Sequence, residues 1–231
     1  MIKPYYESSL GKLYHGDCLE IMPELELETV ALVLTDPPYG INASTMTRKK
    51  SFGGDDGFSV MFFLDNYLRE LSRLLQKDGA LYIFTRYDVM PYWWLRVKLY
   101  FQVKNCLIWD KGGGGLGDLK GNYLPDYEMI IFATKGEHKL NGKRITSIWD
   151  FPKEKAEHHI AQKSLAVTQQ IINKSSKQTN MVLDPFLGSG TTAIISESLD
   201  RRWIGIEISE EYCEISAKRI EAEASQLKLF R

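Results

Sequence analysis

The sequence predicts a doubly wound, mostly parallel α/β sheet, on three observations. Short apolar runs rich in β-branched residues alternate with amphipathic stretches almost throughout the chain. Runs such as Val30–Leu34 are too short and too β-branched to favour helix, and they fit strands covered on both faces. Long polar or glycine-rich segments follow predicted strands, where ligand loops gather in sheets of this kind.

Taken in order, strands are predicted at Lys12–His15, Val30–Thr35, Ala80–Thr85, Val103–Asp110, Glu128–Thr134, Met181–Asp184 and Trp203–Glu207. Helices are predicted at Ser59–Gln76, Tyr92–Leu99, Ser164–Ser175, Thr191–Ser198 and Glu210–Ser225. The first helix has Met61, Leu64, Leu68, Leu71 and Leu75 at helical spacing, a core-facing stripe. Three segments interrupt the alternation. Ile41–Gly57 is polar, with Arg48, Lys49 and Lys50 ahead of Gly53–Gly57, and is expected to be a flexible loop. Lys111–Tyr127 contains four consecutive glycines, and Gly136–Ala161 is basic at its start and contains His158 and His159. Such long loops inside a compact unit are usually functional or disordered.

A chain of 231 residues that is 44% hydrophobic can bury one sizeable core, so a single domain over 1–231 is expected. No apolar run approaches the ~20 residues of a membrane span. The N-terminus lacks a signal-peptide stretch. Cys18, Cys106 and Cys213 form no CxxC pair, which suits a reducing cytoplasm, and no metal is expected. A formal net charge of −1 argues against a wholesale polyanion binder, so nucleic-acid contacts must come from local basic patches.

Two motifs carry the chemistry. Asp184 ends a predicted strand, and Phe186, Gly188, Ser189, Gly190, Thr191 and Thr192 follow as a helix begins. Glycines there let the backbone approach a ligand closely and expose helix N-terminal amides. A phosphate-binding P-loop is disfavoured, because no lysine stands where that motif demands one. Glu207 ends the next strand, roughly 20 residues on, the distance at which a carboxylate bonds ribose hydroxyls in dinucleotide folds. The second motif, Asp36-Pro37-Pro38-Tyr39, follows a buried strand. Its prolines remove two N–H donors and stiffen the chain. What remains is an array of acceptors, the Asp36 carboxylate and the Pro37 carbonyl, suited to the two N–H donors of an exocyclic amine. Tyr39 adds a ring able to stack on a flipped base.

Together these residues resemble the amino-group DNA methyltransferases that use S-adenosylmethionine. With the DPPY segment ahead of FLGSGTT, the chain resembles the permuted β-class of that family. The resemblance implies a Rossmann-like methyltransferase sheet of seven strands, one of them antiparallel. It also implies that Asp17 and Cys18, in Tyr14–Glu20, hold the cofactor's adenine, that Asp184 lies near its methionyl end, and that Glu207 takes the ribose. Ile108–Lys111 and Tyr127–Phe132 are similar to the family's W-x-K and following E-rich strand. His159–Ser164 is similar to H-P-T-Q-K-P, which seats the methionyl group, and this carries Lys163 into the site. Ile160, Ala161 and Ser164 depart from that pattern.

The implied reaction is direct attack of a base amine on the methyl group, with Asp36 and Pro37 localising its lone pair. The family's usage of Asp before PPY points to adenine N6, with cytosine N4 as the alternative. A catalytically silent DNA-binding module of the same fold is a rival from another class. Double-stranded DNA is the expected partner, contacted by Arg48, Lys49, Lys50, Lys111, Lys139, Lys143 and Arg144. Many relatives pair up, so a homodimer is also implied. The segment 136–161, where β-class enzymes often insert a specificity domain, is short and serves as the candidate recognition segment. A companion nuclease is not specified by these residues.

Overall fold

The computed structural model describes residues 2–37, 57–113, 121, 123, 126–151 and 163–229, with the backbone alone for 57–62 and 224–229. Pro38, Tyr39, Arg48, Lys49, Lys50, almost all of the 41–57 loop, most of the glycine-rich segment, the lysines at 153 and 155 and residues 158–162 therefore lie outside the described residues.

Among the described residues nine strands form one sheet: β1 (Tyr6–Glu7), β2 (Gly11–His15), β3 (Val30–Thr35), β4 (Leu75–Thr85), β5 (Gln102–Asp110), β6 (Tyr127–Thr134), β7 (Ile148–Asp150), β8 (Met181–Asp184) and β9 (Arg202–Glu207). Their order is β1-β2-β9-β8-β3-β4-β6-β5-β7. The expected count of seven strands is corrected by two short edge strands, β1 and β7. Two or three residues carry no readable alternation. Within the expected seven, β6 is the antiparallel strand, paired against both β4 and β5. The edge strand β1 is also antiparallel to its neighbour.

Among the described residues six α-helices flank the sheet: α1 (Cys18–Ile21), α2 (Gly57–Leu74), α3 (Met90–Tyr100), α4 (Leu165–Ser175), α5 (Thr191–Ser198) and α6 (Glu210–Leu229). The strand pleat sorts them onto two faces. From β3, β4 and β6, Val33, Leu81, Ile83, Ile131 and Ala133 meet Leu64, Leu68 and Leu71 of α2 and Trp93 and Val97 of α3. The alternate residues Leu32, Leu34, Tyr82, Phe84, Ile130 and Phe132 meet Val167, Ile171 and Ile172 of α4 and Ile195 of α5. α6 closes the far end, with Cys213 and Ile220 against Leu13 and Trp203. None of the described helices is long and apolar enough to cross a membrane.

β4 begins five residues earlier than expected. Leu75 already pairs with Val30, the next pair is Leu32 with Ala80, and Asp78 takes the left-handed conformation (φ 64°) within the bulge between them. β3 pairs with both β4 and β8, and the winding direction reverses between β3 and β8. Ligands in doubly wound sheets bind outside the carboxyl ends of the strands at such a reversal.

Candidate active site

The carboxyl ends of β2, β9, β8 and β3 are neighbours, and an acidic residue stands at or just beyond each. These are Asp17, Glu207, Asp184 and Asp36, in that spatial order. Register fixes their closeness: His15 lies opposite Glu207, and Asp184 opposite Gly205. Asp17 caps α1 by accepting a 2.8 Å bond from the Leu19 N–H. Cys18 follows at the first position of α1, but its side chain packs in the core beside Tyr67 and Ile206, and burial pushes its thiol well up. What Cys18 can offer a ligand is its backbone N–H, which belongs to the helix turn lacking intrahelical partners.

The loop from Asp184 to Thr192 is held in one shape by its own carboxylates. Asp184 accepts from the Phe186 N–H (3.1 Å) and the Thr192 hydroxyl (2.7 Å). Glu207 accepts from the N–H groups of Gly188 (2.9 Å) and Ser209 (2.8 Å). Gly188 and Gly190 adopt φ of 57° and 90°, a region costly for residues with a Cβ. From outside, α6 latches the loop: Ser216 Oγ donates to the Gly188 carbonyl (2.6 Å), and Arg219 donates to the Ser189 carbonyl and hydroxyl. The Thr191 hydroxyl is buried at the start of α5, and no described residue bonds it. Asp184 is buried, and burial raises its carboxyl to about 7; the charges of Asp36 and Glu207 push the same way, against its two hydrogen bonds. Phe186 packs its ring at a tilt against Phe63 and Tyr67, and Tyr67 bonds Thr35 (2.9 Å), tying the loop to the end of β3.

On the other side of Asp36 the charges alternate. Lys163 Nζ lies 3.0 Å from Asp36 Oδ2 and 2.7 Å from Glu128 Oε2. Lys111 Nζ lies 3.0 Å from Glu128 Oε1. Lys163 also sits 4.5 Å above the Phe84 ring, a cation–π contact on the floor of the site. Burial pulls the Lys163 ammonium down, yet Asp36 and Glu128 outweigh it and hold its pKa above the ordinary lysine value. Burial likewise pushes Glu128 up, and Lys163 with Lys111 outweighs it, so that carboxylate is held below its usual range. Glu128 reaches this edge because β6 runs antiparallel, which brings its first residues beside the last residues of β4 and β5.

Pro37 is buried just after Asp36. Lys139, Lys143 and Arg144 are exposed on the segment between β6 and β7, and Lys174 of α4 holds that segment by donating to the carbonyls of Asn141 (3.0 Å) and Lys143 (2.5 Å). Lys111 differs from these three: its side chain is 17% exposed and its charge is engaged by Glu128. Sequence reasoning placed Glu128 in the segment that resembles the family's E-rich strand but gave it no role in the site. The antiparallel direction of β6 is what brings it to the edge beside Lys163.

Comparison with known proteins gives a consistent result. Residues 30–218 match the family profile of the N6/N4 DNA methylases. The chain is 28% identical over 249 residues to the DNA adenine methyltransferase YhdJ of Escherichia coli (strain K12), covering 90% of this chain and 82% of that protein. It is 29% identical over 248 residues to the Type II methyltransferase M2.MboI of Moraxella bovis, covering 94% and 91%. Among solved structures, the M1.HpyAVI–SAM complex superposes with a TM-score of 0.71 at 28% identity, covering 91% of this chain and 99% of that one. The PvuII DNA methyltransferase (cytosine-N4-specific) superposes with a TM-score of 0.80 at 19% identity, covering 97% and 95%, a likeness of fold alone.

Proposed function

The chain belongs to the N6/N4 DNA methylase family, and from that premise we propose that it methylates the N6 amino group of adenine in duplex DNA. Transfer from S-adenosylmethionine to DNA is the activity of the family. The choice of adenine is supported by the aspartate that heads the DPPY segment and by the 28% identity to a DNA adenine methyltransferase. The observation that carries the reading is the Asp36 carboxylate, half-buried at the end of β3 and ion-paired to Lys163, beside the Asp184–Thr192 loop.

The residues present fit the cofactor. Gly188 and Gly190 lack the Cβ that their backbone conformation would penalise, and a Cβ on Gly190 would come within 3.1 Å of Ser216. The buried Thr191 hydroxyl is a polar group without a described partner, and such groups call for one. Glu207 takes the ribose hydroxyls, since each oxygen already bonded once retains acceptor capacity. Asp17 and the Cys18 N–H take the adenine, and Asp184, Phe186 and Ser189 line the path to the methionyl end. When bound, S-adenosylmethionine supplies an electrophilic methyl group on a sulfonium.

The chain's own residues do the rest. Target bases lie inside the duplex, so the nucleotide is flipped out before reaction. Asp36 and the Pro37 carbonyl accept the two N–H bonds of the amine, which favours a pyramidal nitrogen with a localised lone pair. Pro38 stiffens the segment, and Tyr39 stacks on the base. Asp36 then stabilises the positive charge that develops on nitrogen. Holding both reactants in attack geometry contributes up to ~7–11 kcal/mol in ideal cases. Lys139, Lys143 and Arg144, with Arg48, Lys49 and Lys50, contact phosphates, so binding weakens as salt rises. The Type II relatives favour a place in restriction–modification, in the cytoplasm.

Mass spectrometry of nucleosides from duplex DNA treated with purified protein and S-adenosylmethionine tests the base assignment. N6-methyladenine is expected. N4-methylcytosine as the sole product would contradict it.

A further inference from the structure

We propose that Glu128 and Lys111 are positioning residues for the methyl transfer, acting on Asp36 through Lys163; this rests on the reading of Asp36 given above. Four charges alternate in sign along one row: Asp36, Lys163, Glu128 and Lys111. Their carriers come from separate elements. Asp36 follows β3, Glu128 is the second residue of β6, Lys111 follows β5 and Lys163 precedes α4. A lysine stem has four rotatable bonds, so an ammonium held by a single carboxylate can swing with it. Here it is held by two carboxylates on different elements and lies over the Phe84 ring as well. That fixes its place, and with it the Asp36 oxygen it grips.

Charge division matters as much as position. The shorter of the two contacts is to Glu128, 2.7 Å against 3.0 Å. Glu128 therefore shares the ammonium's field with Asp36. An undivided ammonium beside Asp36 would weaken that carboxylate as an acceptor and oppose the positive charge developing on the amine. Lys111 in turn balances Glu128 through its other oxygen, 3.0 Å away. Lys111 also lies 5.6 Å from the Trp109 ring, which keeps its ammonium at the site's floor.

The test uses Glu128→Gln, which keeps the shape and an acceptor oxygen but removes the charge. Single-turnover methyl transfer to duplex DNA, S-adenosylmethionine affinity by calorimetry, duplex affinity by anisotropy and melting temperature are measured on each variant. Glu128→Gln is expected to slow transfer tenfold or more while both affinities stay within threefold of wild type. Lys111→Met is expected to slow transfer at least threefold, and Lys111→Arg to retain the wild-type rate. Should Glu128→Gln fail to fold, the Lys111 pair carries the test alone. Transfer within twofold of wild type in Glu128→Gln or Lys111→Met overturns the proposal, as does a loss matched by an equal loss of cofactor affinity. The wild-type product separates the two readings: a methylated cytosine would refute the adenine assignment yet leave the rate comparison intact.

Discussion

At the scale of single residues, Asp184 shows how burial sets the electrostatics of the site. Its carboxyl is raised from 3.8 to about 7 in the folded chain, chiefly by burial. Between those values the unfolded chain has released the proton and the folded chain still holds it. Stability contributed by this group is therefore full below about pH 4 and is lost as pH rises towards 7. Asp184→Asn can keep bonds to the Phe186 N–H and the Thr192 hydroxyl without titrating. Its melting temperature relative to wild type should climb between pH 5 and pH 8; a pH-independent difference would contradict the assignment. Residues of this kind were legible in the sequence because they end apolar runs, as Asp36, Asp184 and Glu207 do. The Lys163–Glu128 pair was not, since 35 residues separate its members and the expected antiparallel strand had not been assigned to a particular segment.

At the scale of elements, α6 does more than cover an edge. Cys213, Ser216 and Ile220 form its buried stripe, and Ser216 and Arg219 grip the backbone of Gly188 and Ser189. The helix thus holds a glycine-bearing loop that would otherwise have many accessible conformations. Arg219→Ala should weaken S-adenosylmethionine binding several-fold by calorimetry, with a stability cost of only about 1 kcal/mol. An unchanged affinity would show that the loop holds its shape without the latch. Long elements were read well. The stripe of Leu64, Leu68 and Leu71 faces the core as expected. Short ones were missed: β1, β7 and the four-residue α1 lack a full period. The early start of β4 was hidden because Gln76–Gly79 reads as a turn, whereas Leu75 is already paired.

At the scale of the whole molecule, the sheet divides its labour at the reversal between β3 and β8. The β2-β9-β8 half presents the glycine loop and three carboxylates, and the β3-β4-β6-β5 half presents Asp36 and the alternating charges. Because the DPPY strand precedes the cofactor strand in the chain, the permuted order could be read directly from the sequence. The antiparallel β6 could not supply a site residue on paper, since expected ligand residues follow strands rather than open them. With a net charge of −1, the molecule carries exposed basic residues such as Lys139, Lys143 and Arg144, the contacts proposed for DNA. The central claim is that Asp36 activates the amine without being needed for the fold, since Glu128 still pairs with Lys163 when Asp36 is removed. Single-turnover methyl transfer by purified Asp36→Ala tests it most directly. The rate should fall by about 10²–10³-fold or more, with S-adenosylmethionine affinity within a few-fold of wild type; near-normal turnover would contradict the account.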